Sequence, residues 1–277
     1  MLISDLHNDI LNRRENVGEL AAQDTVISKI VCAVFRGSKN FSDVEKTAGN
    51  FLQYQTSFTS HLSPFTSKKY YLAFEDCGYL DYDNLQTFLS FKPFYASLTY
   101  NGENEMGFGC RCVGGLKQKG KEFAKILSEN NIISDIAHLS KKSALDVLDI
   151  CGKVICSHTC FCGYFEHKRN IDDEIIKLII QKNGIVGLTF VGEFLCGCKA
   201  SAKDCADHID YYANKFGTDS LCIGSDFYGT DDLPADLKNY FDFENLYEEL
   251  HKMNYNREQV DRIFYKNADK YIMNSEY

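Results

Sequence analysis

The segment DLHND, residues 5 to 9, places two side chains that can bind a metal ion two positions apart, directly after a short apolar start. These side chains belong to His7 and Asp9. In a β-strand, residues i and i+2 point to the same side, so the two are expected to converge on one point in space. A polar strand end closed by a turn would produce the same short pattern, and the rest of the chain has to separate the two interpretations.

The same chemical theme recurs where other apolar segments end. The last residues of four further segments are Glu75, His138, His158 and Asp226. Imidazole and carboxylate groups together suit borderline divalent metals, zinc first. A bridging carboxylate can hold two ions about 3.5 to 4 Å apart around a shared hydroxide. Each residue alone would be typical of a capped turn or a core histidine, but their joint placement predicts a hydrolytic metal site.

The remaining four histidines lie in loop or helix segments. We expect solvated surface positions for His61, His167, His208 and His251. His167 has a second interpretation, because FEHKRN places it beside Arg169 in a loop that can face the site. The planar guanidinium of Arg169 matches a carboxylate in a bidentate manner, which suits substrate binding. A surface arginine is the alternative interpretation.

Short β-rich segments with helical patterns between them must position these residues. The eight segments are LISDLH (2–7), ISKIVCAVF (27–35), YYLAFE (70–75), FYASLTY (94–100), IISDIAH (132–138), KVICSH (153–158), GIVGLTF (184–190) and SLCIGSD (220–226). Helical periodicity is found in SDVEKTAGNFLQYQTSF, GLKQKGKEFAKILSENN, SKKSALDVLDICG and DDEIIKLIIQKNG. Ser140 and Asp172 are predicted N-caps, and Asn or Gly closes the C-terminal end of these helices.

Eight strands that alternate with helices over about 250 residues predict a (β/α)8 TIM barrel with its active site at the C-terminal strand ends. A doubly wound open sheet is the alternative. The first strand-to-strand connection is short and the second is long, so we expect a distorted barrel. No repeat or linker divides the chain, which favours one catalytic domain over residues 1–277.

Composition excludes several classes of function. The chain has 277 residues, of which 44% are hydrophobic and 25% charged, and its net charge of -9 argues against a nucleic-acid partner. No apolar segment is long enough to span a bilayer, and Asp5 interrupts the N-terminus before a signal peptide could form, so we expect a cytosolic protein without membrane contact. The twelve cysteines lack CxxC pairs, and we expect mostly buried, reduced thiols.

Six ordered segments of the chain resemble the membrane dipeptidases, also called renal dipeptidases, of peptidase family M19. The segments are DLHND, LAFED, GLKQKGKEFAKILSENNIISDIAHLS, VICSHT, HKRNIDDEIIKLIIQKNGIVGLTF and IGSDFYG. They occur in this order, and the resemblance runs over nearly the whole chain. The resemblance implies a distorted (β/α)8 barrel of the amidohydrolase type with two zinc ions. It also implies hydrolysis of dipeptides, often with tolerance for a D-residue at the C-terminal position.

The resemblance also implies roles for individual residues. One zinc ion would be bound by His7 and Asp9, the second by His138 and His158, and the bridge between them would be Glu75. Asp226 would act as general acid and base, taking a proton from the attacking hydroxide and passing it to the leaving amine. Arg169 would bind the free C-terminal carboxylate, which restricts substrates to short peptides.

Two positions depart from the family pattern. The mammalian members have a histidine after strand 4 that stabilises the tetrahedral oxyanion, and the matching position here is Tyr100, followed by Asn101. Tyr100 can donate one hydrogen bond to substrate in its place. The DFDG segment of the family reads DFYG here, so Tyr228 replaces a second aspartate.

These observations predict a dinuclear zinc dipeptidase that takes a small dipeptide substrate through a hydroxide between the metals. Homodimers are frequent in the family. A related metal-dependent amidohydrolase that acts on another amide or lactam is the first alternative. A barrel that binds ligands without turnover is the second, because the fold alone does not decide function.

Overall fold

The structure is a computed structural model, and it contains the predicted closed barrel. The described residues are 1–13, 20, 22–37, 40–59 and 69–275. Eight parallel strands pair in sequence order, and β1 closes the barrel against β8. The strands are β1 Ile3–Asn8, β2 Ile27–Phe35, β3 Tyr70–Glu75, β4 Tyr95–Ser97, β5 Ile133–Asp135, β6 Val154–Thr159, β7 Val186–Leu188 and β8 Leu221–Ile223. The TIM barrel prediction is therefore confirmed, and the open doubly wound sheet is wrong.

Helices surround the barrel and connect its strands. They are α1 Phe41–Thr59, α2 Leu85–Ser90, α3 Gln118–Glu129, α4 Lys141–Ile150, α5 Asp173–Gln181, α6 Gly192–Leu195, α7 Ala202–Phe216, α8 Phe243–Lys252, α9 Arg257–Asp261 and α10 Asn267–Ser275. A π-helical turn, Arg262–Lys266, joins the last two. Among the residues described, none of these helices combines the length and apolar character needed to cross a bilayer.

The residues predicted to begin and end helices are found at helix ends in the structure. Ser140 caps α4, because its hydroxyl accepts a hydrogen bond from the backbone N–H of Ser143 at 3.1 Å. Asp172 occupies the N-cap position of α5 without a side-chain capping bond, and its carboxylate instead lies 3.3 Å from Lys141 Nζ. Beyond the C-terminal ends of α3 and α5, two asparagines adopt the left-handed conformation that ends a helix, namely Asn131 and Asn183.

Several strands are shorter than their apolar segments predicted. The ladder of β5 ends at Asp135, so His138 lies three residues beyond it in a turn with φ 66°. The ladder of β8 ends at Ile223, and Asp226 follows with φ 63°. Non-glycine residues rarely adopt this left-handed region, which marks both positions as locally strained. Two predicted site residues are therefore held by tight turns beyond the strand ends.

The apolar core is divided by the barrel wall. One cluster lies between the barrel and its helices, and a second draws on all strand regions and includes Leu6 and Tyr95. Ala268 and Ile272 of α10 belong to the second cluster. The C-terminal helix α10 therefore packs against residues of the barrel interior. The predicted site residues lie at the opposite end of the barrel. Most of the twelve cysteines are buried, as predicted, and all are free thiols.

Candidate metal centre

His7 and Asp9 meet at the mouth of the barrel, as the two-residue strand spacing predicts. His7 Nε2 lies 3.2 Å from Asp9 Oδ2 and 3.9 Å from Asp226 Oδ1. The other ring nitrogen, Nδ1, lies 2.6 Å from the hydroxyl of Tyr95, which fixes the ring with Nε2 toward the carboxylates. All three side chains thus converge although Asp226 lies at the far end of the sequence. This is one possible ligand triangle.

Glu75, His138 and His158 form a second convergence next to the first. Glu75 Oε1 lies 2.8 Å from His138 Nε2 and 3.6 Å from His158 Nε2. The two imidazole nitrogens are 2.8 Å apart. The rings of His7 and His158 stack with centroids 3.7 Å apart, so both convergences belong to one site. The structure therefore brings together all five residues predicted as ligands.

Hydrogen bonds on the outer side of two rings define which nitrogen carries a proton. His138 Nδ1 donates to Asn101 Oδ1 at 2.7 Å. His158 Nδ1 lies 2.8 Å from Ser157 Oγ, whose own proton goes to Asp135 Oδ2 at 2.6 Å, so this nitrogen is also the donor. Both Nε2 atoms consequently present lone pairs to each other. Such partners fix ring orientation in metal sites.

This donor set fits a cation. Glu75 Oε1 is buried and accepts no hydrogen bond, although buried carboxylate oxygens are normally paired. Two facing nitrogen lone pairs and an unpaired carboxylate oxygen repel one another, and a positive ion between them would satisfy all three. Imidazole and carboxylate ligands suit zinc and its neighbours in the first transition row.

The charges of the site affect its titratable groups in opposite ways. Burial alone lowers the pKa of His7, but the hydrogen bond to Asp9 and the charges of nearby carboxylates raise it to about 10. The pKa of His138 is well below its ordinary value, because burial and the cation of Arg169 disfavour a proton. Burial raises the pKa of Glu75 well above its ordinary value. A field that favours a proton on His7 also favours a metal cation at the same place.

Asp226 lies against Asp9, and the backbone at Gly229 packs closely against both carboxylates. Burial, followed by the charge of Asp9, raises the pKa of Asp226. Gly229 passes so near that a Cβ atom there would lie 2.2 Å from Asp226 Oδ1 and 2.4 Å from Asp9 Oδ2. Only glycine fits this position without displacing the carboxylates. The final residue of the DFYG segment therefore shapes the site.

Arg169 and Tyr100 line the space in front of this centre. Arg169 is buried, and its Nη2 donates to the backbone oxygen of His158 at 2.8 Å, while its Nε has no partner. The ring of Tyr100 packs 4.4 Å from that of His138, and a cavity of about 200 Å³ contacts Tyr100, Glu75 and Asp226. A second cavity of about 720 Å³ contacts His138 and Arg169. All the predicted substrate-contacting residues thus lie beside the centre.

The prediction for the other histidines is wrong at one position. His208 is fully buried in α7, where Nε2 donates to the backbone oxygen of Leu195 at 2.9 Å and Nδ1 accepts from the N–H of Phe161. Burial lowers its pKa to about 4, so it is neutral and structural. His251 is exposed as predicted, His167 is half-buried beside Arg169, and His61 lies outside the described residues.

Sequence reasoning missed the residues that contact the predicted ligands. Asn101, Ser157 and Tyr95 contact ligand imidazoles, and Asp135 holds Ser157. Asp5 accepts hydrogen bonds from Ser225, the residue before Asp226, and from the backbone N–H of His7. Spacing does not reveal the contacts of Tyr95 with His7, Asn101 with His138 and Asp135 with Ser157, because each joins two different segments of the barrel.

Comparison with known proteins agrees with this geometry. The family model described as membrane dipeptidase (peptidase family M19) matches residues 69–276. The dipeptidase tcpJ of Claviceps purpurea (strain 20.1) is 27% identical over 158 residues, which are 56% of this chain. The match spans only 37% of the length of that relative.

Solved structures share the fold over the whole chain. A metallopeptidase from Rhodobacter sphaeroides, in complex with a phosphinate mimic of the dipeptide L-Ala-D-Ala, superposes with a TM-score of 0.85 at 16% identity and 99% coverage of both chains. The probable dipeptidase PvdM from Pseudomonas aeruginosa gives a TM-score of 0.81 at 14% identity, covering 100% of this chain and 96% of that one. The family match over most of the sequence, together with this fold, shows that the chain belongs to the membrane dipeptidase family, peptidase family M19.

Proposed function

We propose that this protein is a zinc-dependent dipeptidase with two metal ions. The proposed ligands are His7, Asp9, Glu75, His138 and His158, with Glu75 between the two ions. The observation that carries the proposal is the buried, unpaired oxygen of Glu75, which faces two imidazole lone pairs. When bound, the ions would supply a water molecule acidic enough to lose a proton at neutral pH and would polarise the scissile carbonyl.

The proposed role of Asp226 is to move a proton. Its carboxylate lies beside Asp9 and faces the cavity that also contacts Glu75 and Tyr100. Its raised pKa suits a group that takes a proton from the attacking water and gives it to the leaving amine. Tyr100 extends from the same wall, and its hydroxyl is the proposed donor to the carbonyl oxygen as negative charge develops there.

Arg169 is the proposed binding residue for the free C-terminal carboxylate. Its Nη2 is held by the backbone oxygen of His158, and its Nε is buried without a partner, so the guanidinium retains capacity for an anion. A planar fork that is fixed on one side binds carboxylate with defined geometry. The substrate would then be positioned with its peptide bond near the metals and its carboxylate at Arg169. Dipeptides with either an L- or a D-residue at the C-terminus are candidate substrates.

Metal analysis and a dipeptide panel test the proposal. We expect close to two zinc ions per chain and turnover of dipeptides that is lost on chelation and restored by zinc. Asp226→Asn should retain zinc but lose turnover. A purified protein with less than one metal ion per chain and no cleavage of any dipeptide would refute the proposal.

The role of Arg169 has its own test. Each dipeptide is compared with its C-terminal amide, using the wild type and Arg169→Ala. We expect the wild type to prefer the free carboxylate and the variant to lose this preference through a higher KM. Equal cleavage of acid and amide by the wild type would instead favour an amidohydrolase for another class of amide.

A further inference from the structure

The larger cavity at the barrel mouth has a charge opposite to that of the whole chain. It begins at His138 and Arg169 and extends for about 720 Å³ between the loop of residues 110–114 and the loop of residues 166–172. Its walls carry five basic side chains, namely Arg111, Lys141, Lys142, Lys168 and Arg169, against the two acids Glu166 and Asp172. The chain as a whole has a net charge of -9. A local excess of positive charge in a concave site concentrates anionic ligands.

Backbone hydrogen bonds fix the loop of Arg111 next to the candidate metal centre. Its N–H donates to the backbone oxygen of Asn101 at 2.9 Å, and the preceding N–H of Cys110 donates to the backbone oxygen of His138 at 2.7 Å. Gly109 permits this approach, because a Cβ atom there would lie 1.9 Å from the backbone oxygen of Tyr100. The loop that carries Arg111 is therefore attached to the same two loops that carry a ligand histidine and its hydrogen-bond partner.

The guanidinium of Arg111 is available for a ligand. Among the described residues it makes no hydrogen bond or ion pair, whereas Lys141 is paired with Asp172 and Glu174 at 3.3 and 3.0 Å. Arg169, on the same cavity, has a buried Nε without a partner. Arg111, Arg169 and His138 all line this same cavity. Two guanidinium groups thus face one cavity with capacity for two anionic groups.

We propose that the preferred substrates are dipeptides whose C-terminal residue has an acidic side chain, with Arg111 as the residue that selects it. Arg169 would bind the α-carboxylate and Arg111 the side-chain carboxylate of the same residue. This inference rests on the dipeptidase function proposed above. A guanidinium fork pairs with carboxylate in a directional manner, so Arg111 discriminates between an acid and an amide of the same shape.

The test compares alanyl-aspartate with alanyl-asparagine, each with an L- or a D-residue at the C-terminus, on the zinc-loaded enzyme. The two substrates have nearly the same size and differ in one negative charge. We expect the wild type to cleave the aspartate substrate with a kcat/KM about tenfold higher, in line with a charge-assisted hydrogen bond at a partly exposed site. Arg111→Gln should bring the ratio close to one, mainly through KM for the aspartate substrate, and leave the asparagine substrate within about twofold of wild type.

Two further variants separate a specific contact from a general field. Lys121→Gln removes one positive charge from an exposed position of α3 outside the cavity, and we expect it to keep the wild-type ratio. Arg111→Lys retains the charge without the fork, and we expect an intermediate ratio.

The outcomes distinguish this inference from the function on which it rests. A wild type that cleaves both substrates equally would overturn the inference and leave the dipeptidase proposal intact. The inference would also be overturned if Arg111→Gln slowed both substrates equally, or if Lys121→Gln reduced the ratio as much. If no dipeptide were cleaved at all, the dipeptidase proposal would fail first and the inference with it.

Discussion

The two ends of the barrel each contain a cluster of buried and partly buried polar side chains, but the clusters are organised differently. At the end where β1 and β2 begin, Asp269 of α10 accepts hydrogen bonds from Ser4 at 2.5 Å and from Ser28 at 2.6 Å. Its carboxylate also lies 3.4 Å from the ammonium group of Lys29, which is 6% exposed. We refer to these four residues as the basal cluster. Each charge in it has a partner of opposite sign or a hydrogen bond.

The mouth of the barrel has the opposite character. Within the described part of the chain, four buried side-chain atoms have no hydrogen-bond partner, and they belong to Glu75, Thr99, Arg169 and Asn170. Each of these residues lies at or beyond the C-terminal end of a strand. Strained backbone is found there too, at His138 and Asp226. The polar groups of the basal cluster are paired within the fold, whereas several at the mouth have no partner there, and such groups are expected at a functional site.

Glu75→Gln should have the largest effect, and it should separate activity from stability. The amide lacks the charge that a ligand between two cations supplies, so we expect loss of bound metal and a fall in kcat/KM on the order of a thousandfold, beyond the effect typical of residues that only orient ligands. In the metal-free protein the same change replaces a buried carboxyl group, whose charged form burial disfavours, with a neutral amide, so we expect the free energy of unfolding to remain equal or rise by about 1 kcal/mol.

Metal content, dipeptide turnover and urea unfolding of the chelated protein measure these two effects. A variant that kept two metal ions and wild-type turnover would exclude Glu75 as a ligand. A metal-free variant that was clearly less stable than metal-free wild type would mean that the mouth, like the basal cluster, stabilises the fold.

Asp269→Ala should give the converse result at the basal cluster. It would leave the ammonium group of Lys29 buried without its carboxylate and remove the acceptor of two hydroxyl groups, so we expect a loss of about 2 to 3 kcal/mol of unfolding free energy. Metal content and kcat/KM should stay near wild type, because the cluster lies at the far end of the barrel. Urea unfolding and turnover are measured on the same preparation.

Asp219→Ala is the matched control for Asp269→Ala. Its carboxylate pairs with Arg262 at 2.7 Å but is 84% exposed, so we expect a change below about 0.5 kcal/mol. If both variants lost the same small amount of stability, the basal cluster would contribute no more than a surface ion pair.

The contrast between the two ends also explains what the sequence could predict. DLHND was interpretable because the period of a strand is local, and Asn131 and Asn183 marked helix ends for a similarly local reason. The bond between Asp5 and Ser225 spans 220 positions, and it exists only because β1 closes the barrel against β8. Contacts of this kind follow from register, which a single sequence does not contain.

His208 is a different case, because a local signal was present. Cys205, His208, Ile209 and Tyr212 follow the helical spacing i, i+3, i+4, i+7, and all are buried on one face of α7. An imidazole on such a face is expected to satisfy backbone groups of neighbouring segments, as this one does. The predicted lengths of β5 and β8 were wrong for another reason. His138 and Asp226 lie beyond the strand ladders in left-handed backbone conformations, which apolar patterning does not reveal.

Asn101 offers the finest test of the contrast, because it contacts the proposed ligand His138 without being a proposed ligand itself. Its Oδ1 holds the Nδ1 proton of His138 and so keeps the Nε2 lone pair directed at Glu75 and His158. We expect Asn101→Ala to lower metal affinity by about tenfold, the lower end of the range for such residues, and excess zinc to restore most of the turnover. Asn101→Asp retains an acceptor at the same place and should keep the wild-type affinity for the metal.

Competition with a chelator and kcat/KM at increasing zinc concentrations measure both variants. Equal losses in the two variants that excess zinc does not restore would mean that Asn101 stabilises the loop, in the manner of the basal cluster, rather than orienting His138 for a metal.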